Sequence, residues 1–193
     1  MAIIATSTAA MAQSEGFTKG SLFLSGNVGF SSEKNNNNDS KFNSFSFSPR
    51  IGYFVTDKVA VGLRAGIESG TDEFEVLGET FEQKTSTTTI GLFGRYYFTP
   101  ASKFSMFLNL GADYVSSKEE ETGEEDFKVN GFDIGLAPGL HYFISNRLAL
   151  ETSIGLLGYS TRKADVDGAE AVNSFGLNLG LNSLTFGLVF KLK

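Results

Sequence analysis

Residues 17–192 predict an all-β fold, an eight-stranded antiparallel up-and-down transmembrane β-barrel, and three observations carry the prediction. First, an aromatic pair leading into a tight polar turn recurs. It reads Tyr53-Phe54-Val55-Thr56-Asp57-Lys58, then Tyr96-Tyr97-Phe98-Thr99-Pro100, then Tyr142-Phe143-Ile144-Ser145-Asn146-Arg147. The Tyr-Phe steps begin at 53, 97 and 142, a repeat of about 44 residues, enough for two strands and one long loop. Second, apolar residues alternate with small or polar ones at a period of two, the signature of strands. Third, short turns at 55–58, 99–103 and 144–147 alternate with polar segments at about 31–41, 69–84, 116–128 and 160–171. Short turns at one rim and long loops at the other mark a membrane barrel, and an unbroken series of hairpins gives a meander.

Each strand follows from its alternation. Strand one, near 18–31, sets Leu22, Leu24, Val28 and Phe30 against Ser21, Ser25 and Asn27. Strand two, about 42–54, sets Phe45, Phe47, Pro49, Ile51 and Tyr53 against Ser44, Ser46, Ser48, Arg50 and Gly52. Strand three sets Val59, Val61, Leu63, Ala65 and Ile67 against Ala60, Gly62, Arg64, Gly66 and Glu68. Strand four, about 85–98, sets Ile90, Leu92, Tyr96 and Phe98 against Thr87, Thr89, Gly91 and Arg95. Strand five sets Phe104, Met106, Leu108, Leu110 and Tyr114 against Ser105, Asn109, Gly111 and Asp113. Strand six sets Phe132, Ile134, Leu136, Leu140 and Tyr142 against Asp133, Gly135, Gly139 and His141. Strand seven sets Leu148, Leu150, Ile154 and Leu156 against Glu151, Ser153, Gly155 and Tyr159. Strand eight, about 172–192, changes parity: Phe175, Leu177, Leu179 and Leu181 are odd, Leu184, Phe186, Leu188 and Phe190 even. That slip places a β-bulge near Asn182-Ser183.

Polarity decides which way round the barrel is built. A soluble eight-stranded barrel buries its large apolar face and shows charge outside. Here the large-residue face carries almost no charge, whereas the other mixes glycine and small polar residues with isolated charges. Such a face suits a narrow lumen, so Arg50, Arg64, Arg95, Glu68, Asp113, Asp133 and Glu151 should point inward and neutralise one another. No run of 18 apolar residues exists, which excludes a transmembrane helix but not a barrel.

Composition removes further classes. The chain has 22 glycines, 19 phenylalanines, 3 prolines and no cysteine or tryptophan, so a disulfide framework or thiolate metal site is impossible. Its formal net charge of −6 argues against nucleic-acid binding. Residues 1–12 read as the remnant of a secretion signal peptide, with apolar Ala2-Ile3-Ile4-Ala5 and a small-x-small cleavage pattern at Ala10-Met11-Ala12. The expected mature barrel domain is therefore 13–193, beginning at Gln13.

The C-terminal run Thr185-Phe186-Gly187-Leu188-Val189-Phe190-Lys191-Leu192 fits the polar-x-Gly-x-x-apolar-x-apolar ending read by the machinery that inserts outer-membrane barrels. With the Tyr-Phe turns and Pro49-x-x-Gly52-Tyr53-Phe54, it makes the chain resemble the small OmpA/OmpX-type outer-membrane β-barrel families over about residues 17–192. The resemblance implies a cell outer-membrane location among lipids and lipopolysaccharide, contact with the insertion machinery through the last strand, and a monomer. The final residue is Lys193 rather than an aromatic, and no periplasmic cell-wall-binding domain is expected to follow.

No catalytic, cofactor-binding or metal-ligating set is expected. His141, the single histidine, should be a polar lumen residue near the periplasmic rim. A lipid A deacylase or acyltransferase, which some small outer-membrane barrels resemble, would instead need a hydroxyl, His and carboxylate converging at the outer rim. Glu119-Glu120-Glu121 with Glu124-Glu125-Asp126 lacks the fixed alternation of a calcium loop and reads as solvated. Asn35-Asn36-Asn37-Asn38 reads as flexible loop, and the sequon Asn38-Asp39-Ser40 as accidental. The expected function is non-enzymatic: envelope structure or adhesin-like surface interaction through the long loops. The alternatives are a lipid-modifying enzyme, a narrow pore and a soluble ligand-binding barrel.

Overall fold

A computed structural model describes residues 16–35, 40–76, 79–121, 126–177 and 184–193. The signal remnant at 1–12 and the start at Gln13, most of the asparagine tract with its sequon residue Asn38, Glu124-Glu125 and the Asn182-Ser183 bulge lie outside the described residues. The strands are β1 (Leu22–Asn35), β2 (Ser40–Phe54), β3 (Val59–Val76), β4 (Glu79–Tyr97), β5 (Phe104–Glu121) and β6 (Phe127–Phe143), followed by β7 (Leu148–Ile154), β8 (Leu157–Ala164), β9 (Val172–Leu177) and β10 (Leu184–Lys191). Segments β7 and β8 form the seventh stave and β9 and β10 the eighth. Every neighbouring pair is antiparallel, and β1 closes the barrel by pairing with both β2 and β10. The closing ladder runs from Phe23↔Lys191 to Gly26↔Leu188.

The repeated turns have one construction. Val55 N–H donates to Val59 O at 3.0 Å, and Thr56 Oγ1 accepts the amides of Lys58 and Val59 at 3.2 and 2.9 Å. In the third copy Ile144 N–H donates to Leu148 O at 2.9 Å, and Ser145 Oγ accepts from Arg147 and Leu148 at 3.4 and 3.1 Å. A hydroxyl at the same place satisfies the same two amides, so Thr56 and Ser145 are equivalent parts of one repeat. The middle copy carries Pro100 and closes differently, with Thr99 Oγ1 donating to Phe104 O at 3.2 Å.

The lipid-facing belt follows the alternation of strands one to six. Leu63, Ile90, Leu92, Leu110, Ile134 and Leu188 are among the outward side chains and are more than half exposed. Such a belt is costly against water and expected against acyl chains. Strand eight changes parity as its sequence implies, with Phe175 and Leu177 outward before the change and Phe186, Leu188 and Phe190 outward after it.

Two expectations about the staves need correction. Strand seven does not keep one parity. Between Gly139↔Ser153 and Leu136↔Leu157, three steps along β6 are matched by four along its partner, so an extra residue enters near Gly155-Leu156. Tyr159, assigned inward, therefore faces out. Among the described residues, the first three segments expected as long loops are instead mostly strand, whereas between β8 and β9 the stretch 165–171 stays a loop. Pairing between β3 and β4 continues to Val76↔Glu79, and β5 pairs β6 out to Glu119↔Phe127. Cross-strand contacts hold these extensions together: Lys41–Glu73 at 3.3 Å, Ser32–Asn43 at 2.8 Å, Thr87–Ser117 at 2.9 Å and stacked Phe74–Phe81 rings 5.8 Å apart. Threonine-rich polar stretches such as 85–89 have strong strand propensity, which a polarity-based reading passes over.

Candidate functional site in the barrel lumen

The end of the lumen beside the short turns is closed by aromatic rings. Phe23, Phe54, Tyr97, Phe107 and Phe143 point inward from five different staves and are almost wholly buried, with Phe93 joining them. Phe17, from the segment before β1, is seated at the centre of the group. Its ring lies 4.8 to 5.9 Å from those of Phe23, Phe54, Tyr97, His141 and Phe143. The backbone fixes it there, with Phe17 N–H donating to Pro100 O at 2.7 Å and Lys191 Nζ donating to Gly16 O at 2.5 Å. This corrects the expectation of a lumen filled by small residues. Each Tyr-Phe step divides its two rings between lipid and lumen: Tyr53 and Tyr142 face out while Phe54 and Phe143 face in. At the middle step Tyr97 faces in and Phe98 out.

Glycines make room for these rings. Gly52, Gly62 and Gly139 are the direct cross-strand partners of Phe23, Phe93 and Phe107. At each glycine an added Cβ would come within 2.6 Å of a carbon of the partner ring. The ring thus lies over bare backbone, a joint that couples two strands and covers a glycine that packs poorly alone.

Above the aromatic floor the inward charges pair as their alternation implies. Arg95, 2 % exposed, holds Glu151 through both oxygens at 2.5 and 2.9 Å and donates to Asn109 Oδ1 at 2.9 Å and Tyr97 OH at 3.3 Å. Its guanidinium also lies over Phe107, 4.4 Å from the ring centre. Arg50 reaches the same Glu151 at 3.4 Å. Arg64 pairs with Asp113, and Asp133 is held by Arg162 at 2.7 and 2.8 Å. The alternation could not single out Arg162, because the extra residue near Gly155-Leu156 resets the face to which it belongs. Glu68 departs from the scheme: it is exposed and makes no ion pair among the described residues.

His141 sits where its parity places it, 1 % exposed beside the short-turn rim. It belongs to a row of chemical interest, because Ser105, His141 and Glu151 are direct partners on β5, β6 and β7. The row does not work as a relay. Neither imidazole nitrogen has a hydrogen-bond partner among the described residues, Ser105 Oγ donates to Met106 O at 3.2 Å, and both Glu151 oxygens are taken by arginine. Nucleophilic catalysis needs the base within hydrogen-bond reach of the hydroxyl and a path for substrate. Here Phe17, Tyr97 and Phe143 pack around the imidazole instead.

The described part of the acidic run lies on the outer hairpin of β5 and β6. Lys118 bonds Asp126 at 2.8 Å and also Glu120, and these bonds hold its ammonium above the ordinary lysine range. Among the described residues no three His, Asp or Glu side chains group to hold a metal ion.

A closed antiparallel meander with a lipid-facing apolar belt and a lumen packed with rings and ion pairs defines an integral outer-membrane barrel protein. The family model described as "Outer membrane protein beta-barrel domain" matches residues 1–182, and the chain belongs to that family. Among solved structures it is similar to the outer membrane protein OprG from Pseudomonas aeruginosa, at 13% identity and TM-score 0.59, over 92% of this chain and 98% of that one. It is also similar to the N-terminal β-barrel domain of Pseudomonas aeruginosa OprF, at 14% identity and TM-score 0.54, over 91% of this chain and 100% of that domain. These likenesses are of fold. No curated protein matches the chain.

Proposed function

We propose that the protein is a non-enzymatic, non-conducting barrel, monomeric in the outer membrane, that carries rigid hairpins for contact at the cell surface. The observation that supports this is the contrast between its two ends. The periplasmic end of the lumen is packed by Phe17 and the surrounding rings, which are almost wholly buried. At the other end β3, β4 and β5 run to 18, 19 and 18 residues, whereas a tilted strand crosses a membrane with about 9–11. The surplus stands clear of the bilayer as paired sheet. Lipids and lipopolysaccharide surround the belt, and the last strand, β10, is the part that the insertion machinery reads.

The test compares cells displaying the protein with cells whose β3–β4 extension, residues 71–84, is replaced by a short turn. Reduced cell-to-cell aggregation and reduced attachment to protein-coated surfaces, with the barrel still heat-modifiable on gels, are expected. Unchanged aggregation and attachment refute the surface-contact role. Stable single-channel steps in planar bilayers refute the closed lumen.

A further inference from the structure

The end of the barrel beside the short turns is built as a repeat. Tyr53, Tyr96, Tyr142 and Phe190 are the direct partners of Leu22, Val59, Phe104 and Leu148, the first residues of β1, β3, β5 and β7. These four rings face outward, each between 43% and 47% exposed. An aromatic girdle of this kind sits at the membrane–water interface. The residue just before each of those strands closes the corner in one way. The carbonyl of Ser21 accepts from Phe54 N–H at 2.9 Å, that of Lys58 from Tyr97 at 2.8 Å, that of Lys103 from Phe143 at 2.8 Å and that of Arg147 from Lys191 at 2.7 Å.

Three of these four equivalent corners carry a cation, one on every second strand. Lys58, Lys103 and Arg147 are exposed, and none makes an ion pair among the described residues. Asp57 is the one carboxylate in the three short turns, and its Oδ1 accepts the Lys19 amide at 3.1 Å. The chain as a whole carries a formal charge of −6, so this rim opposes the sign of the rest. Lys103 shows how such a side chain lies. Its ammonium rests 5.3 Å from the ring centre of Tyr142, within the girdle and beside lipid. A long cationic side chain at this level keeps its stem among apolar groups and brings its charged tip to the headgroups.

We propose that Lys58, Lys103 and Arg147 form a collar that binds anionic phospholipid headgroups in the periplasmic leaflet. The leaflet rests on the reading of the short-turn end as periplasmic; the collar itself does not. Unpaired cations beside a bilayer attract lipids of net negative charge. A zwitterionic headgroup brings its own ammonium to its phosphate, whereas an anionic one leaves the phosphate free for the protein. Arg147 can grip two phosphate oxygens at once, and the two lysines act as point charges.

The experiment is native mass spectrometry of the folded barrel in non-ionic detergent, titrated with phosphatidylglycerol and, separately, phosphatidylcholine of the same chains. A cation near the surface is worth about fivefold in affinity, so phosphatidylglycerol should bind at least about fivefold more tightly. The variant Lys58→Gln, Lys103→Gln, Arg147→Gln should bind both lipids alike. The variant Lys34→Gln, Lys41→Gln, Lys128→Gln, which removes three charges from the outer hairpins, should keep the preference. Equal binding of the two lipids by the unaltered barrel overturns the proposal, as does a preference that survives loss of the three rim cations. Should that variant fail to fold, single variants decide: Lys58→Gln and Arg147→Gln must each narrow the preference and Lys128→Gln must not. A soluble cell-wall muropeptide that displaces phosphatidylglycerol overturns the lipid as occupant. Labelling of Ser102→Cys on intact cells by a membrane-impermeant maleimide overturns the leaflet alone, because the headgroup preference is measured without reference to orientation.

Discussion

Replacing Gly52 by alanine tests the joint between glycine and ring most directly. The new methyl would come within 2.6 Å of a carbon of Phe23, a ring that is itself packed against Phe17 and Phe54 at 5.2 and 5.9 Å. Phe23 is fully buried, so the ring cannot swing into solvent and the floor must shift with it. Overpacking of this kind costs about 1–3 kcal/mol. Gly94→Ala is the control, because nothing lies within 4 Å of its added Cβ and a strand gains about 0.5–1 kcal/mol on exchanging glycine for alanine. The two variants should therefore differ by about 1.5–4 kcal/mol. With a urea slope of about 2 kcal/mol per molar, their unfolding midpoints should separate by roughly 1–2 M. Midpoints are read from the heat-modifiable band on unheated gels after equilibration in detergent. The double variant Phe23→Leu, Gly52→Ala should recover part of the loss, with a coupling of about 0.5–3 kcal/mol. Equal midpoints for Gly52→Ala and Gly94→Ala, or strict additivity in the double variant, would refute the joint.

Leu63→Arg, on the lipid face, should impair membrane insertion by about 2–4 kcal/mol, whereas Ser46→Arg in the lumen-facing set should insert nearly normally. Comparable folded fractions in vesicles would contradict the strand parity. Glu151→Gln should destabilise the barrel by about 3–5 kcal/mol, because it strands the buried Arg95 and weakens the hold on the half-buried Arg50, and by more than Asp133→Asn nearer the mouth. Urea midpoints of the two variants decide this. His141→Ala should leave lipid A unmodified or modified just as before, and mass spectrometry of lipid A that lost a modification with this variant would restore the enzyme reading. N-terminal sequencing of the protein recovered from outer membranes should begin at Gln13, and another start would displace the cleavage site.

Strand number, meander order and lipid orientation were legible because they depend on period and on the short turns, which are local. Arg50, Arg64, Arg95, Asp113, Asp133 and Glu151 were legible as inward for the same reason. What they pair with was not, because partners lie on other staves and register is fixed by the whole closed sheet; Arg50 and Glu151 are 101 residues apart. The plug was missed because Phe17 stands outside any alternating segment, so nothing in its neighbours marks it as buried. The inward rings Phe23, Phe93 and Phe107 were overlooked for a related reason: a large apolar residue inside the lumen breaks the simple contrast of faces, and only the glycine opposite it betrays the arrangement. A useful signal is therefore a phenylalanine on the small-residue parity with glycine expected across the ladder.

The one-sided closure of the lumen proposed above also bears on how much of this protein a cell can hold. A vessel with a single mouth carries no net flux, so whatever enters must leave by the same route and no gradient is spent. Copies can then accumulate without making the envelope leaky, a freedom denied to open channels, whose abundance is capped by the solutes they lose. On the proposed reading of a closed lumen and contact-making hairpins, the buried ring of Phe17 lets density at the cell surface be set by how many projecting hairpins are useful.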